Sequence, residues 1–433
     1  MATLGTLAVN NRHDGFTLNG KPWFWLADTC WSAFTSITLE DWDYYLARRA
    51  EQGINTLQIN TLPQWDRCRP DLGIYPYASE DGTTFDWSRP NPAYWERARE
   101  MCRMVVEHGI RPALVLMWCN YVPGTWGAMI AERFGTPVMP LEEVAAHVRR
   151  VVEELDEFDP VYVVTGDTDW KSDECLPYYE AALATVCELA PTRLRTMHIN
   201  RANRTIPAQF VDRLDFLMFQ PGHNAGAQDE AWKLPEDLAA AHPGKPMVNS
   251  EPCYEMMGAS RNVYVRFGAK ECRASAWSGI LAGASAGVTY GAHGIWNWQT
   301  SRSEGSALGE GFDAPFRWQE ALQLPGVWDF GLIPQVLGVL THGSTDAVEP
   351  AQDVLDDARE AIRVARVGER SVAYLPFATV LKLKLDASRS WTAAAFDLEG
   401  KRVAHLPVTP CEDGIRVAQH PFTADALVVV TPA

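Results

Sequence analysis

Two carboxylates stand where apolar runs stop. Residues 245–255, KPMVNSEPCYE, place Ser250, Glu251, Pro252 and Tyr254 directly after a short apolar run, and residues 160–166 run in the same way into Asp167, with Asp169 and Trp170 just beyond. The C-terminal tips of buried strands are where barrel enzymes carry their reactive groups. Two carboxyls facing each other across a cleft are the equipment of glycoside hydrolysis. One is protonated to assist the leaving oxygen, and the other is ionised to attack or to activate water. Taken singly, either acid would serve equally well as a helix N-cap or a solvated loop residue. Each also has a competitor nearby, Asp169 for Asp167 and Glu255 for Glu251. The strand-tip positions are preferred because rigid backbone holds them, which leaves Glu255 a supporting or subsite role.

The elements that must position this pair recur along the chain. Asn19-Gly20 between apolar runs signals a hairpin that feeds a first strand over residues 23–27. Further strands are expected at 54–60, 110–118, 161–166, 193–199, 214–220, 246–249 and 287–291. Helical periodicity falls between them at 38–53, 91–109, 140–158, 176–189, 206–213, 229–242 and 270–286, and a last helical region at 318–340 is broken by Pro325. Eight strand-then-helix units imply a closed parallel barrel, a (β/α)8 TIM barrel over residues 1–340. A doubly wound open sheet is the alternative, but no Gly-rich phosphate turn follows any strand. From about residue 341 short alternating runs between turn residues predict a small all-β sandwich to residue 433. The loop at residues 61–90, rich in Pro, Asp, Gly and aromatics, is long enough to be functional and is placed to close one end of a cleft. The remaining strand ends would gather Asp28, Trp31, Asn60, Trp118, His198, Gln220, His223, Tyr254, Tyr290, His293 and Trp296 around the two acids, a mixture of ring faces and neutral polar groups that suits sugar hydroxyls.

Composition narrows the partners. With 38 basic against 55 acidic residues, a net charge of −17 and no basic run, nucleic acid is not an expected partner. Nine Cys without CxxC spacing fit reduced thiols rather than a disulfide framework or zinc site. The N-terminal residues lack a basic segment leading into an apolar one, and no stretch of membrane-spanning length occurs, so a soluble cytoplasmic chain is expected. The 17 Trp are many for 433 residues, in keeping with sugar stacking as well as core packing. A metal-dependent amidohydrolase on the same barrel would want HxH near the first strand, where Asp28 stands and no His does. No metal or cofactor is expected; a non-catalytic sugar-binding barrel is the other alternative.

The stretches at residues 19–31, 166–167, 220–223, 251–255 and 290–296 together resemble the apiosidase-like glycoside hydrolases, barrels often followed by a small β-domain once labelled collagen-binding. This chain reads Thr165-Gly166-Asp167 where the family pattern tends to Gly-Gly-Asp. The resemblance implies a retaining mechanism on a plant-type oligosaccharide or glycoside, with Asp167 as acid/base and Glu251 as nucleophile. Carboxyls about 5–5.5 Å apart would fit that mechanism, and about 6.5–9.5 Å an inverting one.

Overall fold

The computed structural model describes residues 4–201, 203–259, 265–301, 314–343 and 347–433. Eight parallel strands form its centre: β1 (Trp25–Thr29), β2 (Thr56–Asn60), β3 (Arg111–Trp118), β4 (Val161–Gly166), β5 (Arg195–Thr196), β6 (Leu217–Phe219), β7 (Met247–Asn249) and β8 (Gly287–Tyr290). They are hydrogen-bonded in the order β5-β4-β3-β2-β1-β8-β7-β6. The ring is completed between β5 and β6 by a bridge from His198 to Met218 and by Thr196 Oγ1, which donates to the Phe216 carbonyl at 2.8 Å. The expected fifth strand shrinks to two ladder residues, although its chain stays extended through bridges at His198 and Ile199.

Side-chain parity explains the packing. Trp25 and Ala27 point into the barrel with Ala113, Val115, Val161, Val163, Phe216, Met218 and Val248, whereas Leu26 joins the shell between strands and helices. The N-terminal hairpin, Phe16–Leu18 against Lys21–Trp23, turns at Asn19-Gly20 with both φ values positive, as that dipeptide favours. Its Phe16 ring meets Phe216 edge-to-face at 5.0 Å, so the hairpin closes the bottom of the barrel.

The helices are α1 (Leu39–Glu51), α2 (Pro92–Glu107), α3 (Leu141–Leu155), α4 (Leu176–Leu189), α5 (Glu230–Ala241), α6 (Ala269–Leu281) and α7 (Gly326–Leu340). Thr38 caps α1 by accepting the Asp41 N–H at 3.1 Å. The helix expected over 270–286 ends at Leu281, before Gly283 at φ 114°. The expected helix at 206–213 is only one turn, Ala208–Val211. Pro325 breaks the last helical region as its geometry requires, leaving Trp318–Ala321 and α7. No helix among the described residues is long and apolar enough to cross a membrane.

Beyond Glu349 the chain is antiparallel β structure in a six-stranded and a three-stranded sheet with their own core, including Leu381, Leu383, Ile415 and Val428. Val403–Leu406, Val408–Cys411 and Gly414–Val417 are strands whose polar alternation hides them in the sequence. This region is not tethered loosely. Val367, Val372, Tyr374 and Leu427 belong to the same apolar cluster as Trp277 of α6 and Leu337 of α7. At that junction the buried Arg273 of α6 donates to Asp425 at 2.7 and 3.2 Å and to Asp329 of α7 at 2.6 Å. Breaking a buried pair strands the remaining charge, so Arg273→Met should lower unfolding free energy by about 3–5 kcal/mol, read from urea denaturation of the full chain.

Candidate active site

Strand β4 ends at Gly166, where a Cβ would lie 2.1 Å from the Trp118 ring, so only glycine lets that indole pack on the strand tip. Asp167 follows at φ 52°, a left-handed conformation that turns its carboxylate into the cavity and that Asp tolerates better than most residues. Three contacts hold it there. Its N–H is directed at His198 Nδ1 at 3.3 Å, its carbonyl accepts from Trp126 Nε1 at 3.3 Å, and its Oδ1 accepts from Gln220 Nε2.

Strand β7 is tied to β6 by Ser250, whose N–H and hydroxyl both reach the Phe219 carbonyl at 2.9 and 3.0 Å. The next residue, Glu251, is buried. Its Oε1 lies 2.9 Å from His223 Nε2 and its Oε2 3.3 Å from His198 Nε2. Both imidazoles accept a backbone N–H on Nδ1, His198 from Asp167 and His223 from Tyr254, each at 3.3 Å. That leaves the ring proton of each on Nε2; His223 donates its proton to Glu251 Oε1, whereas His198 Nε2 stands near Oε2 without a hydrogen bond. Burial holds His198 neutral, lowering it to about 3, so it offers Glu251 a dipole rather than a charge.

Burial also pushes Glu251 up to about 8, with the Tyr254 hydroxyl opposing the shift by hydrogen bonding. The His223 N–H works in the same direction as Tyr254, toward the ionised form. Tyr254 accepts from Trp31 Nε1 at 3.1 Å and packs on Gly291, where a Cβ would come within 2.0 Å of its ring. Trp31 and Trp118, 5.0 Å apart, enclose His198 at 5.7 Å from each.

The acids share a cavity of about 520 Å³ with Trp31, Trp118, Gln220, His223, Tyr254 and Trp296. His198 lies directly behind Glu251. Donor atoms of Asp167, His198 and Glu251 all fall within 4.8 Å of one another. Such a set would suit a cation only if His198 carried its proton on Nδ1, where it instead faces an N–H donor. The geometry therefore fits a hydrogen-bonded carboxylate pair better than a metal centre.

Besides His198, which sits behind Glu251 and does not line the cavity, four expected lining residues stand away from it. Asp28 and Tyr290 share the outward parity of Leu26 and Val288, and so face the helices. Asp28 accepts from Arg49 Nε and, at 2.6 Å, from the Tyr45 hydroxyl; Tyr290 donates to Glu255 at 2.6 Å. Glu255 in turn accepts the Gly326 N–H at the start of α7 at 2.9 Å, which makes it a brace between the β7 loop and that helix. His293 is buried beside Arg266, and Asn60 points inward but is covered. Asp169 is fully buried and accepts the Trp126 N–H at 3.4 Å, so of the two acids only Asp167 reaches the cavity.

Gln64, Trp65 and Asp66 after β2, Trp126 and Ile130 after β3, Asn200 and Arg201 after β5, Gly222 and Asn224 after β6 and Met257 after β7 complete the lining. They could have been anticipated from loop position alone, since every loop at this barrel face contributes to the site. The 61–90 loop is ordered by the buried Arg67, which donates to Asp71 and to the carbonyls of Gln64 and Gly82 at 2.7 to 2.8 Å.

The family model of the apiosidase-like catalytic domain matches residues 10–341. Comparison with curated proteins returned no match. Solved structures similar to the chain include a glycoside hydrolase at 21% identity and TM-score 0.77, covering 99% of this chain and 97% of that one. A glycoside hydrolase family 5 protein from Bacteroides vulgatus is 21% identical with TM-score 0.78, over 99% and 93% of the two chains. A family 5 mannosidase from Rhizomucor miehei is 14% identical with TM-score 0.52, over 79% and 100%. These likenesses show a shared fold.

The imidazole contacts make a direct prediction. His223→Ala removes a donor from ionised Glu251, so the carboxyl's titration midpoint, followed by carbon-13 NMR, should rise by roughly one pH unit. His223→Gln, which retains a donor, should move it less. An unchanged midpoint would show that His223 only packs.

Proposed function

The chain belongs to the apiosidase-like family and is a glycoside hydrolase, and from that premise we propose that it is a retaining enzyme for a plant-type oligosaccharide or glycoside, with Asp167 as acid/base and Glu251 as nucleophile. The observation that carries this reading is the separation of the two carboxyls, whose nearest oxygens come within 4.8 Å. That spacing lies nearer the about 5–5.5 Å between the carboxyls of retaining enzymes than the about 6.5–9.5 Å of inverting ones, and so supports the retaining reading.

Glu251 attacks the anomeric carbon while Asp167 passes its proton to the departing oxygen. Asp167 then takes a proton from water as that water displaces the glutamyl ester. Glu251 must be ionised to attack, and His223 and Tyr254 are the groups that favour that form against burial. Positive charge gathering on the sugar ring in the transition state stabilises the carboxylate further. The raised Glu251 favours a second reading, in which Glu251 is the proton donor and Asp167 the nucleophile.

Chemical rescue separates the two. With azide, Glu251→Gly should yield a glycosyl azide of inverted configuration and Asp167→Gly one of retained configuration; exchanged products would reverse the roles. Glu251→Gln should cut turnover by at least about 10³-fold while sugar binding persists, and a fully active variant would sink the assignment. Activity that survives EDTA would separate this chemistry from metal-assisted hydrolysis.

A further inference from the structure

The β3 loop carries an apolar surface that the acid/base chemistry does not use. Twelve large hydrophobic side chains are exposed among the described residues, and four of them, Met129, Phe134, Val138 and Leu141, fall within thirteen positions. Exposed apolar side chains scattered singly need no explanation, but a concentration beside a binding pocket does. This one is continuous with the catalytic cavity. The short helix Trp126–Ala131 presents Trp126 and Ile130, one turn apart, to that cavity. Trp65, also lining it, stacks on Phe134 with ring centroids 6.1 Å apart and planes 11° from parallel.

The helix is seated firmly. Thr125 caps it by accepting the Ala128 N–H at 3.2 Å, and Gly127 lies so close to Cys119 that a Cβ would come within 2.4 Å of the sulfur. Across the cavity the β5 and β6 loops are polar, with Asn200, Arg201 and Asn224. The pocket thus has a polar side at the β5 and β6 loops and, opposite it, a side that is largely hydrocarbon with Gln64 and Asp66 flanking Trp65. Indole faces alone would serve a second sugar, but Ile130 and Met129 offer no ring face and favour only apolar contact. The apolar wall begins at Asp167, whose carbonyl accepts from Trp126.

Asp167 is the proton donor to the leaving oxygen in the reading above, on which this inference rests. We infer that the leaving group is an apolar alcohol, aromatic or alkyl, rather than a second sugar, and that it lies against Trp65, Trp126 and Ile130 and reaches Met129 and Phe134.

The test compares methyl, n-octyl and 2-phenylethyl glycosides of whichever sugar the enzyme hydrolyses. These alkoxides leave with similar intrinsic ease, so a difference in kcat/KM reports contact with the wall. The wild type should favour the two larger substrates over methyl on the order of tenfold. The double variant Ile130→Asn, Phe134→Ser should bring that ratio to within about twofold, and Val339→Ser, on the exposed face of α7, should leave it unchanged. Equal rates on all three glycosides in the wild type, or a ratio that survives the double variant, would overturn the inference while leaving the glycosidase assignment standing.

A second measurement separates the two failures. Neutral 2-naphthol should quench tryptophan fluorescence of Glu251→Gln protein saturably, and lose that effect when Ile130→Asn and Phe134→Ser are added. Loss of quenching in the triple variant with no glycoside hydrolysed by the wild type would keep the apolar subsite and refute the hydrolase reading. Quenching unaffected by the added substitutions would refute the subsite.

Discussion

A carboxylate enclosed by indole and phenol rings survives only if donors meet it, and at Glu251 the donors are the His223 imidazole and the Tyr254 hydroxyl. His223 can donate from Nε2 because a backbone N–H occupies its Nδ1, and His198 accepts a backbone N–H in the same way. One of those N–H groups belongs to Asp167 itself. His198 is therefore a spacer. It accepts from the backbone of one acid and lies 3.3 Å from the carboxylate of the other, so the width of an imidazole ring sets how far apart the two acids stand. The left-handed turn at Asp167 has the same logic, since it aims the N–H at His198 while the side chain swings to Gln220.

That arrangement depends on close backbone approach on two sides. Gly166 lets Trp118 lie on the end of β4, and Gly291 lets Tyr254 lie on the end of β8. Behind the strands, Asp28, Tyr45, Arg49, Tyr290 and Glu255 form a buried network, with Arg49 5.4 Å above the ring of Tyr290. It joins β1, β8, the β7 loop and the first turn of α7. Charges buried in this way are costly unless fully paired. Their value here is to hold the backbone from which Tyr254 and Glu251 project.

Much of this was legible in residue order because it is local. The Asn19-Gly20 turn, the Thr38 cap, the Pro325 break and the two acids at strand tips follow from neighbouring residues. Asp28 was visible as a strand-end acid, and its parity with Leu26 pointed away from the cavity, but that signal counts only once the sheet is known to close. Trp65 and Trp126 lie in irregular loops, where no periodicity assigns a direction to a side chain. The polar strands between residues 403 and 417 were hidden because a sheet with a solvated face carries a weak apolar pattern.

The hold of Asp425 on Arg273 also bears on how the protein is made. The partners are 152 residues apart, and the apolar cluster around Trp277 and Leu337 is completed by strands from the last part of the chain. At translation rates of about 5–20 residues per second, Arg273 leaves the ribosome roughly 8–30 s before its counter-charge. Through that interval the barrel's final helices expose an unfilled apolar face, and Arg273 has Asp329 alone to meet its charge. The carboxyl-terminal sheet thus acts on the catalytic barrel as a cover fitted last, and a nascent chain that stalls before it is a natural client for chaperones that bind apolar surface.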